Sequence, residues 1–234
     1  MNKITNFETY LFTSPKKLII LVSTKNNQEK IYKKELILNT NSNELDLKLI
    51  DDFLKDNIFK IEKLLKNFVE NIYLIINSED FCSVNISIKQ NNYGELINNN
   101  SLINPLYEVK DQCKKTLLNQ KIIHLLIDEY QIDGNRYASL PKDVMCDFFS
   151  LNVRFICLPI KLIKDFEEIL KKYQISVNQI VSEEYTQKYF TGQDINLFEM
   201  TKKIISGCNE NEVALTSKSQ KNKGFFEKFF DFFG

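Results

Sequence analysis

The sequence predicts a mixed α/β (α+β) fold, and three observations carry that expectation. Short apolar runs, Ile72-Tyr73-Leu74-Ile75-Ile76 foremost, have the length of buried strands. Elsewhere apolar residues recur three or four apart, as at Leu47, Ile50, Phe53, Leu54, Ile58, Ile61, Leu65 and Phe68. The two kinds of segment alternate along the chain, the order that mixed folds require.

In chain order, residues 10–22 and 30–38 read as two β segments joined by a turn at Asn26-Asn27. The long helix follows, with Asn43 as its N-cap. After the run at Ile72, the alternation of Val84, Ile86 and Ile88 marks another strand, and the Asn-rich stretch 90–104 reads as a mobile loop. A short helix over 107–118 leads to a strand at 122–127. Beyond a loop around Pro141, the run from Val153 to Leu158 is a further strand. The amphipathic helix 162–173 is expected to pack on the antiparallel sheet containing those two strands, and 177–181 closes the ordered part. Residues 217–223 form a polar, basic linker, an apolar cluster ends the chain, and no internal repeat is present.

Composition limits the function classes. With 234 residues there is room for one large or two small domains, and 43% hydrophobic residues suffice for a core. Lys plus Arg and Asp plus Glu number 31 each, so no global field gathers nucleic acid, and none is expected as a partner. Cys82, Cys113, Cys146, Cys157 and Cys208 show no C-x-x-C spacing and only one histidine accompanies them, so they read as buried hydrophobes and no metal is expected. The N-terminus has no signal-peptide pattern, and no apolar run approaches the ~18 residues of a membrane span. A cytoplasmic chain, with at most peripheral membrane contact, is the expectation.

Four segments in order resemble the FtsA-type cell-division proteins, members of the actin-like ATPase superfamily. Ile122-Ile123-His124-Leu125-Leu126-Ile127-Asp128-Glu129-Tyr130-Gln131-Ile132-Asp133 is similar to that family's I-L-H-V-x-P-Q-E-Y-x-I-D. Asn152-Val153-Arg154-Phe155-Ile156 resembles its K-V-H-L-I strand. Ile175-Ser176-Val177-Asn178-Gln179-Ile180-Val181 resembles its G-L-x-V-D-Q-L-I, with Asn178 replacing aspartate. Ahead of these, the run from Ile72 to Ser78 resembles V-Y-x-x-x-S-G. The resemblance covers about residues 8–190. It implies a partial 1A subdomain at 1–80, a 1C-type insert at 81–175, and a remnant of the 1A return at 176–200. A flexible linker at 201–223 and an amphipathic membrane-targeting helix at 224–234 complete the scheme, with the C-terminal lobe missing.

The family grips nucleotide, but the first phosphate loop corresponds here to Leu11-Phe12-Thr13-Ser14-Pro15-Lys16-Lys17, which has neither glycine nor carboxylate. Pro15 also removes a donor. The second phosphate loop and the adenosine loop have no counterpart, so no cofactor and no ATPase activity are expected. Other candidate chemistry reads as structural. His124 shares a strand face with Ile122 and Leu126 and reads as a packed, hydrogen-bonded core residue. Asp128 and Glu129 are neighbours on a strand and cannot share one site without a bulge; Asp133-Gly134 reads as a turn. Glu183-Glu184 reads as a solvated pair.

The tail carries the sharpest functional signal. On a wheel of about 100° per residue, Phe225, Phe226, Phe229, Phe230, Phe232 and Phe233 fall within one arc of roughly 160°. Lys218, Lys221 and Lys223 lie just upstream, giving the two-signal pattern of a peripheral anchor. These nine residues are the expected membrane-binding set. The reading is a non-catalytic adaptor on the inner face of the cytoplasmic membrane that recruits cell-division proteins. The family links the FtsZ ring to the membrane, but its ring-binding lobe has no counterpart here, which puts an FtsZ contact in question; self-association is allowed for. Two other readings are an adaptor of pilus or secretion assembly, similar to PilM, and a diverged nucleotide-binding enzyme.

Overall fold

The computed structural model describes residues 3–26 and 29–213. In chain order the elements are β1 (Phe7–Ser14), β2 (Lys17–Thr24), β3 (Lys30–Ile37), α1 (Leu47–Leu65), β4 (Asn71–Ile76), β5 (Cys82–Leu96) and α2 (Asn99–Thr116). They continue as β6 (Gln120–Ile132), β7 (Asn135–Tyr137), β8 (Met145–Pro159), α3 (Ile160–Lys171), β9 (Ser176–Ser182), α4 (Glu183–Tyr189) and α5 (Leu197–Ile205). The fold is mixed α/β and divides into two units. One comprises Met1–Asp80 with Ile160–Lys202, the other Phe81–Pro159 with the residues from Lys203 onward.

The first unit is built on a five-stranded sheet in the order β3-β2-β1-β4-β9. Strands β1 to β3 form an antiparallel meander, whereas β4 runs parallel to both β1 and β9. The expected single β segment at 10–22 is in fact two strands, because Pro15-Lys16 makes a two-residue turn that pairs Ser14 with Lys17. Proline pre-sets the backbone for such a turn, and Ser14 Oγ closes it by donating to the Lys17 carbonyl at 3.1 Å. Helix α1 is capped by Asp46, not Asn43: the Asp46 carboxylate accepts from Leu49 N at 2.9 Å. Its apolar stripe, including Ile50, Leu54, Ile61 and Leu65, is buried, and it packs on β2 and α3. Within that stripe Asn57 is satisfied, donating to the Phe53 carbonyl and accepting from Tyr32 Oη.

The second unit is a four-stranded antiparallel sheet, β5-β8-β6-β7, with α2 on one face. Leu102, Leu106, Val109 and Cys113 of α2 meet Leu125, Ile127, Leu151, Val153 and Phe155 of the sheet. The helix covering this sheet is therefore α2. Helix α3, expected there, packs instead on β9 and α1 of the first unit.

The Asn-rich stretch 90–104 is not a loop. Strand β5 runs on to Leu96 after an excursion at Asn92-Tyr93-Gly94, where Tyr93 and Gly94 take φ of 53° and 76°. Asn92 Nδ2 fastens it by donating to the Glu95 carbonyl at 2.6 Å. Three residues later Asn98 caps α2, and its side chain and that of Ser101 form a reciprocal capping box. That start is eight residues ahead of the expected 107, and Pro105 sits inside the helix. Order also continues past Val181. Helices α4 and α5 follow, and Asn211 and Val213 hydrogen-bond to Ile127 and Leu125 of β6.

Phe155 is fully buried at the centre of the second unit, whereas Phe59 is 72% exposed. Phe155→Ala should lower stability in urea unfolding by about 3–5 kcal/mol and Phe59→Ala by less than about 0.5 kcal/mol. A Phe155→Ala loss below about 1 kcal/mol would contradict this packing.

Candidate functional site

The first unit holds a cleft of about 660 Å³ beside the β1–β2 turn. Phe12, Ile19 and Leu21, on one face of the antiparallel pair, form its apolar floor, and Phe198 adds a wall. Lys16 and Lys17 reach it from the turn, and Lys30 and Lys33 from the edge strand β3. Lys17 and Lys33 both pair with Glu35, at 3.2 and 3.6 Å. The Lys17 hydrogen bond holds the Glu35 carboxyl below the usual carboxylate range.

Glu183 faces this cleft from the first turn of α4, whose N-cap is Ser182. The sequence pattern marks Glu183 as solvated, yet only 8% of it is exposed. Asn77 Nδ2 donates to one carboxylate oxygen, and Gln187 Nε2 donates to the other at 2.8 Å. Burial raises its carboxyl above the ordinary 4.5, opposed by the Asn77 hydrogen bond and the Lys17 charge. Glu184 is the solvated member, paired with Lys188 at 2.5 Å. Tertiary packing alone separates the two; the readable signal was Ser182 as a helix cap, which fixes Glu183 in the first turn facing β4's end.

The backbone of the β1–β2 turn differs from that of a phosphate-binding loop. A phosphate cradle needs several backbone N–H groups converging from a glycine-rich loop. Here the turn is two residues long, one of them proline, and Ser14 and Lys17 on either side are already paired. Among the described residues no group of three or more His, Cys, Asp or Glu is placed to hold a metal.

The other singled-out residues lie in the second unit. His124 is buried, and its Nδ1 is 2.6 Å from Glu212 Oε1, a packed and hydrogen-bonded residue as its strand face implied. The ladder shifts register between Ile127 and Glu129, which supplies the bulge that the Asp128-Glu129 pair needs to face one way. Asp128 then binds Arg154 at 2.8 Å, while Glu129 accepts from Asn152 at 3.0 Å and faces Arg136. Arg154 and Asn152 share a face of β8, so both carboxylates are held on that face by fixed partners. Asp133 and Gly134, with φ of 45° and 87°, form the β6–β7 hairpin turn. The Asp133 carboxylate accepts from Asp147 N and Phe148 N.

Cysteine spacing concealed a cluster: β5–β8 pairing sets Cys82 opposite Cys157, with Cys113 against it from α2. Burial pushes the Cys157 thiol up to about 12, and raises that of Cys113. Such thiols are poor nucleophiles. The expected membrane-binding residues, Lys218, Lys221, Lys223, Phe225, Phe226, Phe229, Phe230, Phe232 and Phe233, lie outside the described residues. Among the described residues no helix is long and apolar enough to cross a membrane.

No protein-family model and no curated protein matches the sequence. Among solved structures, the chain is similar to the PilM–PilN type IV pilus biogenesis complex, at 7% identity and a TM-score of 0.45, over 80% of this chain and 50% of that one. It is similar to the cytoplasmic domain of EpsL, an inner membrane component of the type II secretion system of Vibrio cholerae, at 12% and 0.37, over 77% and 58%. A Bacteroides thetaiotaomicron protein with an actin-like ATPase fold matches at 13% and 0.32, over 79% and 55%. The chain thus spans between 50% and 58% of the length of these structures. Likeness at this level does not extend to binding or activity.

Two outcomes follow from the cleft. Calorimetry with ATP and magnesium should give no saturable heat, and micromolar saturation would contradict the geometry of the β1–β2 turn. A buried acid with a raised folded-state pKa stabilises the fold below its unfolded value and loses that contribution as pH climbs through the folded one. The melting temperature of wild type relative to Glu183→Gln should therefore fall as pH rises above 4.5. A difference that stays flat from about pH 4 to about pH 8 would show that Glu183 is not desolvated.

Proposed function

We propose that this chain is a non-catalytic adaptor at the inner face of a membrane, resembling the FtsA-type proteins and recruiting cell-division partners. The observation that carries it is the complete segregation of six phenylalanines in the tail, with Lys218, Lys221 and Lys223 before them. A helix of about ten residues is marginal in water, so it orders on contact with something apolar. Each buried aromatic side chain contributes roughly 1.5–3 kcal/mol, and each lysine near an anionic surface about 1 kcal/mol.

The rest of the chain supports an adaptor. The four segments of family resemblance fall on β4, β6, β8 and β9, in both units. The second unit is an insertion between β4 and α3, and its polar sheet face is lined by side chains already paired with one another. Such a face presents a fixed pattern of donors and acceptors to a partner. Residues 214–223, ten positions, join Val213 to the tail, a reach of at most ~35 Å.

The full chain should pellet with anionic liposomes, and Phe226→Glu with Phe230→Glu should leave it in the supernatant. Raising salt should weaken binding only in part, because the lysine contribution is screened and the phenylalanine contribution is not. If wild type ignores liposomes and the double variant instead melts many degrees lower, the tail belongs to the protein's own core and the proposal fails.

A further inference from the structure

Helix α1 has a second apolar feature that its own core does not use. Its buried stripe faces the sheet, yet Phe59 is 72% exposed, Leu64 is 41% exposed, and Phe68, just past the helix end, is 73% exposed. At about 100° per residue, Phe59, Lys63, Lys60 and Leu64 follow one another across an arc of roughly 140°, which starts on the side away from the buried stripe at Phe59 and reaches the stripe's border, beside Phe53, at Leu64. Exposed lysines are thus interleaved with exposed apolar side chains over the last two turns. Scattered surface apolar residues need no explanation, but Phe59 and Leu64 on the last two turns of α1 and Phe68 three residues beyond them concentrate exposed apolar side chains at one end of the element.

Charge decides what such a patch fits. Lys60 and Lys63 flank the rings directly. Glu62 is turned back into the protein, where its carboxylate accepts from Val69 N at 3.1 Å. Asp52 and Asp56 share the arc but sit one to two turns nearer the N-terminus, and Glu70 follows the patch. The C-terminal end of α1 therefore sets two exposed lysines among exposed apolar side chains, with Asp56, one turn back from Lys60, the nearest carboxylate on that arc. An anionic lipid interface offers both complements, acyl chains for the rings and phosphates for the ammonium groups.

We propose that Phe59, Leu64 and Phe68, with Lys60 and Lys63, form a second lipid contact, through which the folded domain rests on an anionic bilayer. This rests on the membrane reading above and adds a surface on the folded domain. The chain contains no tryptophan, so Phe59→Trp introduces a single reporter at a site exposed enough to accept it. With the full chain and phosphatidylglycerol vesicles, the emission should shift to the blue and become protected from iodide. Adding Lys60→Glu and Lys63→Glu should cut the protected fraction by at least about tenfold while the chain still pellets. Pelleting with unshifted emission overturns this proposal and leaves the tail as the sole contact. Absence of pelleting overturns both readings. A blue shift without vesicles that grows with protein concentration places a second copy on the patch, and also overturns it.

Discussion

The first unit depends on β4. It is the strand that pairs in parallel with β1 on one side and β9 on the other, so removing it leaves the antiparallel meander and β9 with no common neighbour. Parallel neighbours cannot be joined by a tight turn and need a crossover. Between β1 and β4 that crossover is the meander and α1. Between β4 and β9 it begins at Asn77 and takes in the whole run from Phe81 to Pro159 before α3 returns the chain. Loop-closure entropy grows only logarithmically with length, so an insert of this size costs the sheet little more than a short loop. What it requires is that the second unit be stable on its own core, which Leu151, Val153 and Phe155 supply beneath α2.

The elements legible in the sequence are those with a long one-sided stripe or an unbroken apolar run. Helix α1, with its stripe from Ile50 to Leu65, is of the first kind, whereas β4, β6 and β8 were legible from apolar runs buried on both faces. The β1–β2 turn was marked in the sequence by Thr13-Ser14-Pro15-Lys16-Lys17, a polar break with a turn-forming proline between two strands buried on both faces. The 90–104 stretch was hidden. Asparagine is common in loops because it bonds to nearby backbone, and here Asn92 and Asn98 use the same chemistry to fasten a strand excursion and cap a helix. Composition records the residue type and not the partner.

The cleft was less legible than the fold. Glu183 and Glu184 are adjacent and chemically alike, and only α4's first turn, set against Asn77, makes one buried and the other exposed. Likewise Asp128 and Glu129 face the same way only because the ladder slips by a residue beside them. Register shifts, and contacts 106 residues apart such as Asn77 with Glu183, leave no local trace in a sequence.

The short contact of Asn211, Glu212 and Val213 with β6 has a mechanical meaning. Asn211 accepts from Ile127 N at 2.9 Å, Val213 donates to the Leu125 carbonyl at 2.8 Å, and Glu212 between them reaches His124. Asn211 is gripped further by Tyr130 Oη and by its own donation to the Ala138 carbonyl. A pull on Val213 is carried by these bonds straight onto β6. The three residues act as a clasp at the sheet's edge. Opening it would expose the buried imidazole of His124 and withdraw Val213 from the core that α2 covers.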